Sequence, residues 1–220
     1  LDTPYIKYHN KFEKASWDEV YKIIKSKVEN TDKNKICGFV GDLVNMETGY
    51  IFKEFFDRTI GSSKYDSRSS KSFIDVSSRS NYLFNSSING IEEADLILLI
   101  GANPRYEATI INSRIRKAYL NSDVKIISSN DIGDQTYPYE KLDGKTKTIK
   151  DIFENNNEIS KKILESKKPM VILGESFLKT KSANFLFNNI KNFLIENQKI
   201  NNEWNALNIL STDASTVGNF

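Results

Sequence analysis

The fold is decided by a central segment, residues 79–117, which reads RSNYLFNSSINGIEEADLILLIGANPRYEATIINSRIRK. The apolar run Leu96–Ile100 is short enough for one buried strand. Gly101–Pro104 then predicts a tight turn, because glycine and proline interrupt regular structure. Beyond the turn, residues 106–120 carry apolar side chains at helical spacing, namely Ile110, Ile111, Ile115 and Ala118. The segment therefore predicts a strand, a loop and a helix, which is half of a β-α-β unit.

The rest of the chain repeats this alternation. Strands are predicted at Lys35–Val40, Asp123–Ser128 and Met170–Leu173. Helices are predicted from a Ser16 capping box to about Val28, over Met46–Ile60, over Ile149–Ser166 with a break at Asn155–Asn157, over Phe177–Ile195 and over Trp204–Leu210. Gly61–Ser80 is aperiodic and rich in serine, and such long loops are often functional or packed against a partner. The pattern predicts one α/β domain over residues 1–220, with a doubly wound, mostly parallel sheet and helices on both faces.

Several side chains are assigned an orientation by their spacing. Trp17, Val20, Ile24 and Val28 fall on one helix face. A core position is predicted for Tyr50, Ile51, Phe55 and Phe56 in the second helix, and for Leu186, Phe187, Ile190 and Leu194 near the end of the chain. The carboxylates of Glu92, Glu93 and Asp95 precede the Leu96 strand, away from the usual binding crevice, and are expected to form a solvated or partner-facing cluster.

Composition excludes several classes of function. The net charge of +2 arises from 31 basic and 29 acidic residues without a clustered basic face, so no nucleic-acid partner is predicted. No apolar run approaches the roughly 20 residues that span a bilayer. The only cysteine, Cys37, and the only histidine, His9, cannot supply an iron–sulfur or zinc site. Cys37 is expected to be a buried structural residue and His9 an exposed bystander.

Two apparent nucleotide motifs fail on spacing. Gly144-Lys145-Thr146 ends like a phosphate-binding loop, but the glycine required five positions earlier is Tyr139. Gly38 and Gly41 do not form the G-x-G-x-x-G spacing. No catalytic residues are predicted. The remaining candidate is the Gly101 loop, which lies at the carboxyl end of its strand, where open α/β sheets usually bind ligands.

Collinear blocks along the chain resemble a known family. They are Ala15–Glu19, Arg79–Leu83, Gly90–Asp95, Asn103–Arg105 with Glu107, Arg114–Lys117, Lys168–Gly174 and Trp204–Leu210. The chain resembles the large iron–sulfur subunit of respiratory complex I, and of the bacterial NADH–quinone oxidoreductases, in its molybdopterin-oxidoreductase-like domain. The ferredoxin-like, cluster-binding region that precedes this domain in the family is absent from the 220 residues, which are expected to be an incomplete part of the subunit.

The resemblance implies a binding role that has been lost. In pterin-using relatives, equivalent loops hold phosphates of the pterin dinucleotide, and Gly101, Asn103 and Arg105 are the residues here that match. The complex I subunit keeps the fold without molybdenum, so these residues are expected to be vestigial, with Gly101 and Pro104 shaping the turn and Arg105 paired with a carboxylate. The chain itself is expected to hold no cofactor, and iron–sulfur clusters are expected on the missing amino-terminal region or on a partner chain.

The resemblance also implies a location and partners. The expected role is non-catalytic support of complex I assembly and shielding of the path of electrons from NADH to quinone. The expected partners are other peripheral-arm subunits, especially a separate chain that carries the cysteine-rich region and the flavin-bearing NADH-binding subunit. The expected location is the matrix side of the mitochondrial inner membrane, or the cytoplasmic face of a bacterial membrane. The alternatives are a degenerate or active pterin-dependent oxidoreductase fragment, similar to formate dehydrogenase, and a free-standing nucleotide-binding module.

Overall fold

Two compact units, residues 1–69 and residues 70–218, make up the chain. The computed structural model describes residues 2–41, 43–67, 71–154, 157–212 and 217–219. The single domain expected over residues 1–220 stays a prediction. The larger unit contains the sheet that the central segment predicts.

The first unit is built from short elements. They are strands β1 (Tyr5–Tyr8) and β2 (Lys11–Lys14), helix α1 (Trp17–Glu29), strand β3 (Gly38–Phe39), helix α2 (Met46–Glu54), a π-helical turn (Phe55–Ile60) and strand β4 (Tyr65–Asp66). The predicted capping box is confirmed, because the Glu19 amide donates to Ser16 Oγ and the Ser16 amide donates to Glu19 Oε2. Strands β1 and β2 pair antiparallel, and β3 and β4 pair parallel.

Burial in the first unit differs from the prediction. The predicted strand Lys35–Val40 shrinks to β3, and Cys37 is exposed instead of buried. Tyr50, Ile51 and Phe55, expected in the core, are also exposed, whereas Phe56 is buried as expected. The reason is physical, because a parallel pair of two-residue strands cannot cover an apolar surface on either side. Helix α1 contains no buried residue at all.

The second unit contains a five-stranded parallel sheet. Its elements are α3 (Ser87–Gly90), β5 (Leu96–Ile100), α4 (Pro104–Glu107), α5 (Thr109–Asn121), β6 (Lys125–Ser128), β7 (Glu140–Lys141), α6 (Thr146–Phe153), α7 (Glu158–Glu165), β8 (Pro169–Leu173), α8 (Glu175–Leu178), α9 (Ala183–Glu196) and β9 (Leu207–Ile209). The strand order is β7-β6-β5-β8-β9, and every pair is parallel. Every residue of β5 and β8 is buried, as expected for central strands covered by helices on both faces. The predicted fold class is confirmed.

Three predicted helices of the second unit are each observed as two. Ala108, whose backbone is not helical (φ −153°, ψ 73°), separates α4 from α5. Ile110, one of the apolar residues at helical spacing, is exposed. The break predicted at Asn155–Asn157 falls partly outside the described residues, since positions 155 and 156 are not described, but Asn157 caps α7 by accepting from the Ile159 amide at 2.8 Å. The predicted helix Phe177–Ile195 appears as α8 and α9. Its four inward residues, Leu186, Phe187, Ile190 and Leu194, are buried as predicted.

The helix predicted over Trp204–Leu210 is wrong. Residues Leu207–Ile209 form β9, which extends the sheet beside β8. A short apolar run fits either element by periodicity, and the unpaired edge of β8 decides in favour of a strand. The outer edge of β9 is covered by residues 83 and 84, which precede helix α3. The Ile209 amide donates to the Leu83 carbonyl at 3.0 Å, and Phe84 forms an antiparallel bridge with Asn208.

Candidate functional site

The Gly101 loop lies at the point where the winding of the sheet reverses. From β5 the chain proceeds to β6 on one side, and β8 is later inserted on the other side of β5. In doubly wound sheets, ligands bind in the crevice outside the carboxyl ends of the two strands at such a point. The structure therefore places Gly101, Asn103 and Arg105 at the position where a ligand is expected, together with the Gly174 loop that follows β8.

The two loops are in direct backbone contact with each other. A Cβ at Gly174 would lie 2.3 Å from the Gly101 carbonyl oxygen, and a Cβ at Gly101 would lie 2.4 Å from the Phe177 nitrogen. The Ser176 hydroxyl donates to the same Gly101 carbonyl at 2.7 Å. Gly101 also has a positive φ of 60°, a conformation that glycine adopts without steric cost. The two glycines let the loops meet backbone to backbone where a ligand would lie.

Several amides of the Gly101 loop and of the helix that follows it already have acceptors. Three of them donate to side chains of the same unit: Gly101 to Ser129 Oγ at 3.2 Å, Asn103 to Glu107 Oε2 at 2.8 Å and Arg105 to Gln135 Oε1 at 3.2 Å. The amides of Tyr106 and Glu107 donate to the Asn103 carbonyl. An anion that approached this loop would have to compete with these acceptors, one of which is itself a carboxylate.

A buried polar network fixes the loop from the β6 side. Gln135 is fully buried, and its amide nitrogen donates to Asn103 Oδ1 at 3.0 Å and to the Ile132 carbonyl at 2.6 Å. Asn112 of α5 donates to the Gln135 carbonyl at 3.2 Å and accepts from the Tyr137 hydroxyl at 2.8 Å. Burial raises the pKa of Tyr137, so the hydroxyl stays a protonated donor. Networks whose members are all satisfied rigidify the groups they join.

Arg105 pairs with a carboxylate, as expected. The partner is Asp134, whose side chain and carbonyl both accept from Arg105 Nη1 at 2.6 Å. The hydrogen bond from the Thr136 amide has the largest effect in holding the pKa of Asp134 below its usual value, and the hydrogen bond from the Arg105 side chain has the next largest. The Arg105 and Asp134 side chains are 40% and 75% exposed, so this is a surface ion pair, and such pairs usually contribute about 0–1 kcal/mol.

The acidic cluster at the opposite end of the sheet forms contacts within the unit. Glu92 pairs with Arg114 and Lys117, and Glu93 pairs with Lys168. These carboxylates were expected to face solvent or a partner. The structure shows that Glu92 and Glu93 also form ion pairs with arginine and lysine side chains of their own unit.

Asp95, the third member of the cluster, joins the start of β5 to the start of β8 by hydrogen bonds. Its carboxylate accepts from the Ser166 hydroxyl and from the amides of Lys167, at 2.7 Å, and Lys168, at 3.0 Å. These donors lie just before β8, whereas Asp95 lies just before β5. The carboxylate therefore sets the register in which the two central strands begin.

Sequence reasoning missed Gly174, Glu107 and Gln135 as parts of the site. Gly174 could have been found, because it follows an apolar strand in the same way that Gly101 does. Gln135 lies in the irregular stretch between β6 and β7, where periodicity carries no signal. Within the described ranges, no group of three or more His, Cys, Asp and Glu side chains could hold a metal ion.

The sheet, its reversal point and the two glycine loops define a doubly wound α/β domain of the type that binds cofactors at its carboxyl edge. The family model for molybdopterin oxidoreductase matches residues 1–220, so the chain belongs to the molybdopterin oxidoreductase family.

Several similar proteins are named as subunits of NADH-ubiquinone or NADH-quinone oxidoreductases. The chain is 33% identical over 232 residues to the NADH-ubiquinone oxidoreductase 75 kDa subunit of Reclinomonas americana, an alignment that covers 99% of this chain and 33% of that protein. It is 32% identical to an NADH-quinone oxidoreductase subunit of Rickettsia bellii over 100% of this chain and 32% of that protein. It is 34% identical to the mitochondrial NADH-ubiquinone oxidoreductase 78 kDa subunit of Candida albicans, over 99% of this chain and 30% of that protein. The chain thus spans about a third of the length of these relatives.

The residues at the Gly101 loop do not fit the pterin cofactor that the family name implies. A phosphate at this loop needs free amides and space between the strands. Three amides instead donate to Ser129, Glu107 and Gln135, and the space is taken by contact between the two glycine loops.

The described part of the chain also contains no helix long and apolar enough to cross a membrane.

Proposed function

We propose that this chain is a non-catalytic structural domain of the large iron–sulfur subunit of an NADH–quinone oxidoreductase of the complex I type. It supports assembly of the peripheral arm and shields the electron path. The names of the relatives favour this assembly. The observation that carries the non-catalytic role is the hydrogen bonding of the Gly101 loop, where the Gly101, Asn103 and Arg105 amides donate to side chains of their own unit.

The proposal includes a setting for the domain. The partners are other peripheral-arm subunits, among them the flavin-bearing NADH-binding subunit and the polypeptide region that carries the cysteine-rich iron–sulfur motifs. The chain itself holds neither a pterin nor a cluster. The location is the matrix side of the mitochondrial inner membrane or the cytoplasmic face of a bacterial membrane, which agrees with relatives named from mitochondria and from bacteria.

The experiment measures assembly and turnover separately. Asn103→Ala removes the acceptor of Gln135 Nε2 from the loop without changing any charge. In a purified complex that contains the variant, the yield of assembled complex should fall, while NADH–quinone turnover per assembled complex stays at the value of the unaltered protein. Asn184→Ala, at an exposed position of α9, is the matched control and should change neither quantity. Normal yield with turnover lost would contradict a structural role.

A second function is favoured by the family match, namely a pterin-dependent oxidoreductase fragment. It predicts stoichiometric molybdenum or tungsten in the purified assembly and a fluorescent oxidised pterin released from this chain by acid. Our proposal predicts neither on this chain. Saturable binding of a nucleotide by the isolated chain would instead favour a free-standing nucleotide-binding module.

A further inference from the structure

The β1–β2 hairpin is a well-defined element that the other described residues leave exposed. His9 and Asn10 both have positive φ, 44° and 66°, as the two central residues of a type I′ turn require. The register is regular from Tyr8↔Lys11 at the turn to Tyr5↔Lys14 at the open end. No residue of either strand is buried. An isolated two-stranded hairpin is only marginally stable in water, and pairing with a third strand can stabilise it.

Within the part of the chain that the structure describes, both long edges of the hairpin are open. Among the described residues, no further strand pairs with β1 or β2. The Ala15 amide donates to the Pro4 carbonyl at 3.1 Å, which makes this pair hydrogen-bonded. Because hydrogen-bonded and non-hydrogen-bonded pairs alternate in an antiparallel ladder, the backbone groups of Tyr5 and Lys7 point outward on one edge, and those of Phe12 and Lys14 on the other.

The same four residues share one face, because side chains and hydrogen-bonding directions alternate together. This face is aromatic and cationic, with Tyr5 48% and Phe12 70% exposed. The Lys7 ammonium lies 5.8 Å from the centroid of the Phe12 ring. The charge is not balanced locally, since Lys7, Lys11 and Lys14 stand against a single carboxylate, Glu13, within residues 5–14.

We propose that the β1–β2 hairpin is the docking site for an extended acidic segment of a partner polypeptide, which adds a third strand to one of its open edges. Open edges pair with the backbone of an incoming strand, so the occupant is extended. The excess of lysine beside those edges selects carboxylates, and the aromatic rings supply apolar contact to alternate side chains. The surface lies in residues 1–69, outside the Gly101 site, and the inference does not depend on the proposed function.

The test uses the full 220-residue chain and a short synthetic peptide of alternating glutamate and valine. This peptide should bind at least about tenfold more tightly than one of alternating lysine and valine. It should also bind more tightly than an acidic peptide whose backbone is N-methylated, since methylation removes the donors that a strand needs. In the bound state, amide exchange should slow at Tyr5 and Lys7 or at Phe12 and Lys14.

Proline variants identify the edge. Lys7→Pro and Lys14→Pro each remove one outward amide and leave the inward pairing intact, so one of them should weaken binding of the acidic peptide by about tenfold, the equivalent of one hydrogen bond. Lys7→Ala keeps the amide and separates the effect of charge. Slow exchange at Ile6 and Tyr8 shows that a variant still forms the hairpin, and the N-methylated peptide tests the proposal without any variant.

Several results would overturn the proposal. They are equal affinity for the acidic and basic peptides, undiminished binding of the N-methylated peptide, and binding of a single-stranded oligonucleotide as tight as that of the acidic peptide. Dimerisation of the chain through the hairpin, competed by the peptide, would assign the edge to a second copy and would also refute an acidic partner.

Discussion

Replacing Gly101 by alanine should destabilise the second unit strongly, because two costs coincide there. Its φ of 60° lies in the left-handed region, where a side chain costs about 1–2 kcal/mol. The new Cβ would also lie 2.4 Å from the Phe177 nitrogen and 2.9 Å from its Cα. Overpacking in a well-packed interior costs typically about 1–3 kcal/mol. The expected loss in the free energy of unfolding is therefore about 2–5 kcal/mol, a large share of the about 5–15 kcal/mol that holds a domain together.

Two other glycines separate the costs. Gly133 has nearly the same φ, 71°, but an added Cβ would have no atom within 4 Å, so Gly133→Ala should show only the conformational cost of about 1–2 kcal/mol. Gly174 has a φ of −97°, which any residue adopts, but its Cβ would lie 2.3 Å from the Gly101 carbonyl oxygen. Gly174→Ala should therefore show only the packing cost of about 1–3 kcal/mol or more.

The assay is equilibrium unfolding in urea followed by tryptophan fluorescence. Trp204 is buried in the second unit, whereas Trp17 of the first unit is 55% exposed, so the main fluorescence change should report the second unit. Equal losses for Gly101→Ala and Gly133→Ala would refute the reasoning. The crevice between the two strand-end loops would then have space for a side chain, and the argument that protein backbone fills the ligand position would fail with it.

Three further variants test the remaining contacts. Arg105→Ala breaks an exposed ion pair and should lower the free energy of unfolding by only about 0–1 kcal/mol, and a loss above about 2 kcal/mol in urea unfolding would contradict the surface assignment. Gln135 is fully buried, and Gln135→Ala leaves the Arg105 amide without its acceptor and Asn103 Oδ1 without its donor. At about 1–3 kcal/mol for each buried group left unpaired, its loss in the same assay should clearly exceed that of Arg105→Ala. Burial raises the pKa of Asp95, but hydrogen bonds from Ser166 and two backbone amides outweigh it and hold this pKa below the usual value. A group with a lowered native pKa stabilises the fold fully above its unfolded-state pKa, about 3.9 for Asp, and this stabilisation is lost as the pH falls through the native pKa. Asp95→Asn should therefore flatten the fall in unfolding free energy below about pH 5. An unchanged decrease of stability in acid would contradict this expectation.

The central sheet could be predicted because its signal is local. Leu96–Ile100 and Met170–Leu173 are apolar runs of strand length, bounded by turn residues, and both are buried strands in the structure. Strand β9 was missed for the opposite reason. Its three residues become a strand through pairing with β8 more than thirty residues earlier, and periodicity within a short apolar run does not distinguish a strand from a helix.

Burial in the first unit could not be predicted from periodicity. Tyr50 and Ile51 occupy a helix at core-like spacing, yet both are more than 60% exposed. Spacing shows which side chains share a face, but whether that face is buried depends on what packs against it. Among the described residues of the first unit, the buried apolar side chains are Phe56 and Ile60, and Gly38 lets the Phe56 ring lie against strand β3.

The site illustrates the same distinction between position and contact. Gly101 was found from sequence because the end of an apolar strand marks the place where α/β sheets bind ligands. What the loop does there is decided by contacts with Gln135, about thirty positions later, and with the Gly174 loop, which follows another strand. Sequence reasoning therefore located the site but could not show that three of its amides already have side-chain acceptors.

These contacts support the proposal that the domain keeps its fold without a ligand. A loop shaped to present amides to a phosphate exposes donors that cost about 1–3 kcal/mol each when they are buried without acceptors. In this chain a carboxylate, a carboxamide and a hydroxyl accept from three of those amides. Glu107, Gln135 and Ser129 thus occupy the acceptor positions that a bound anion would take at these three amides. A domain that supplies its own acceptors can keep the architecture for packing alone, and restoring anion binding would require removal of these side chains, not merely addition of a cofactor.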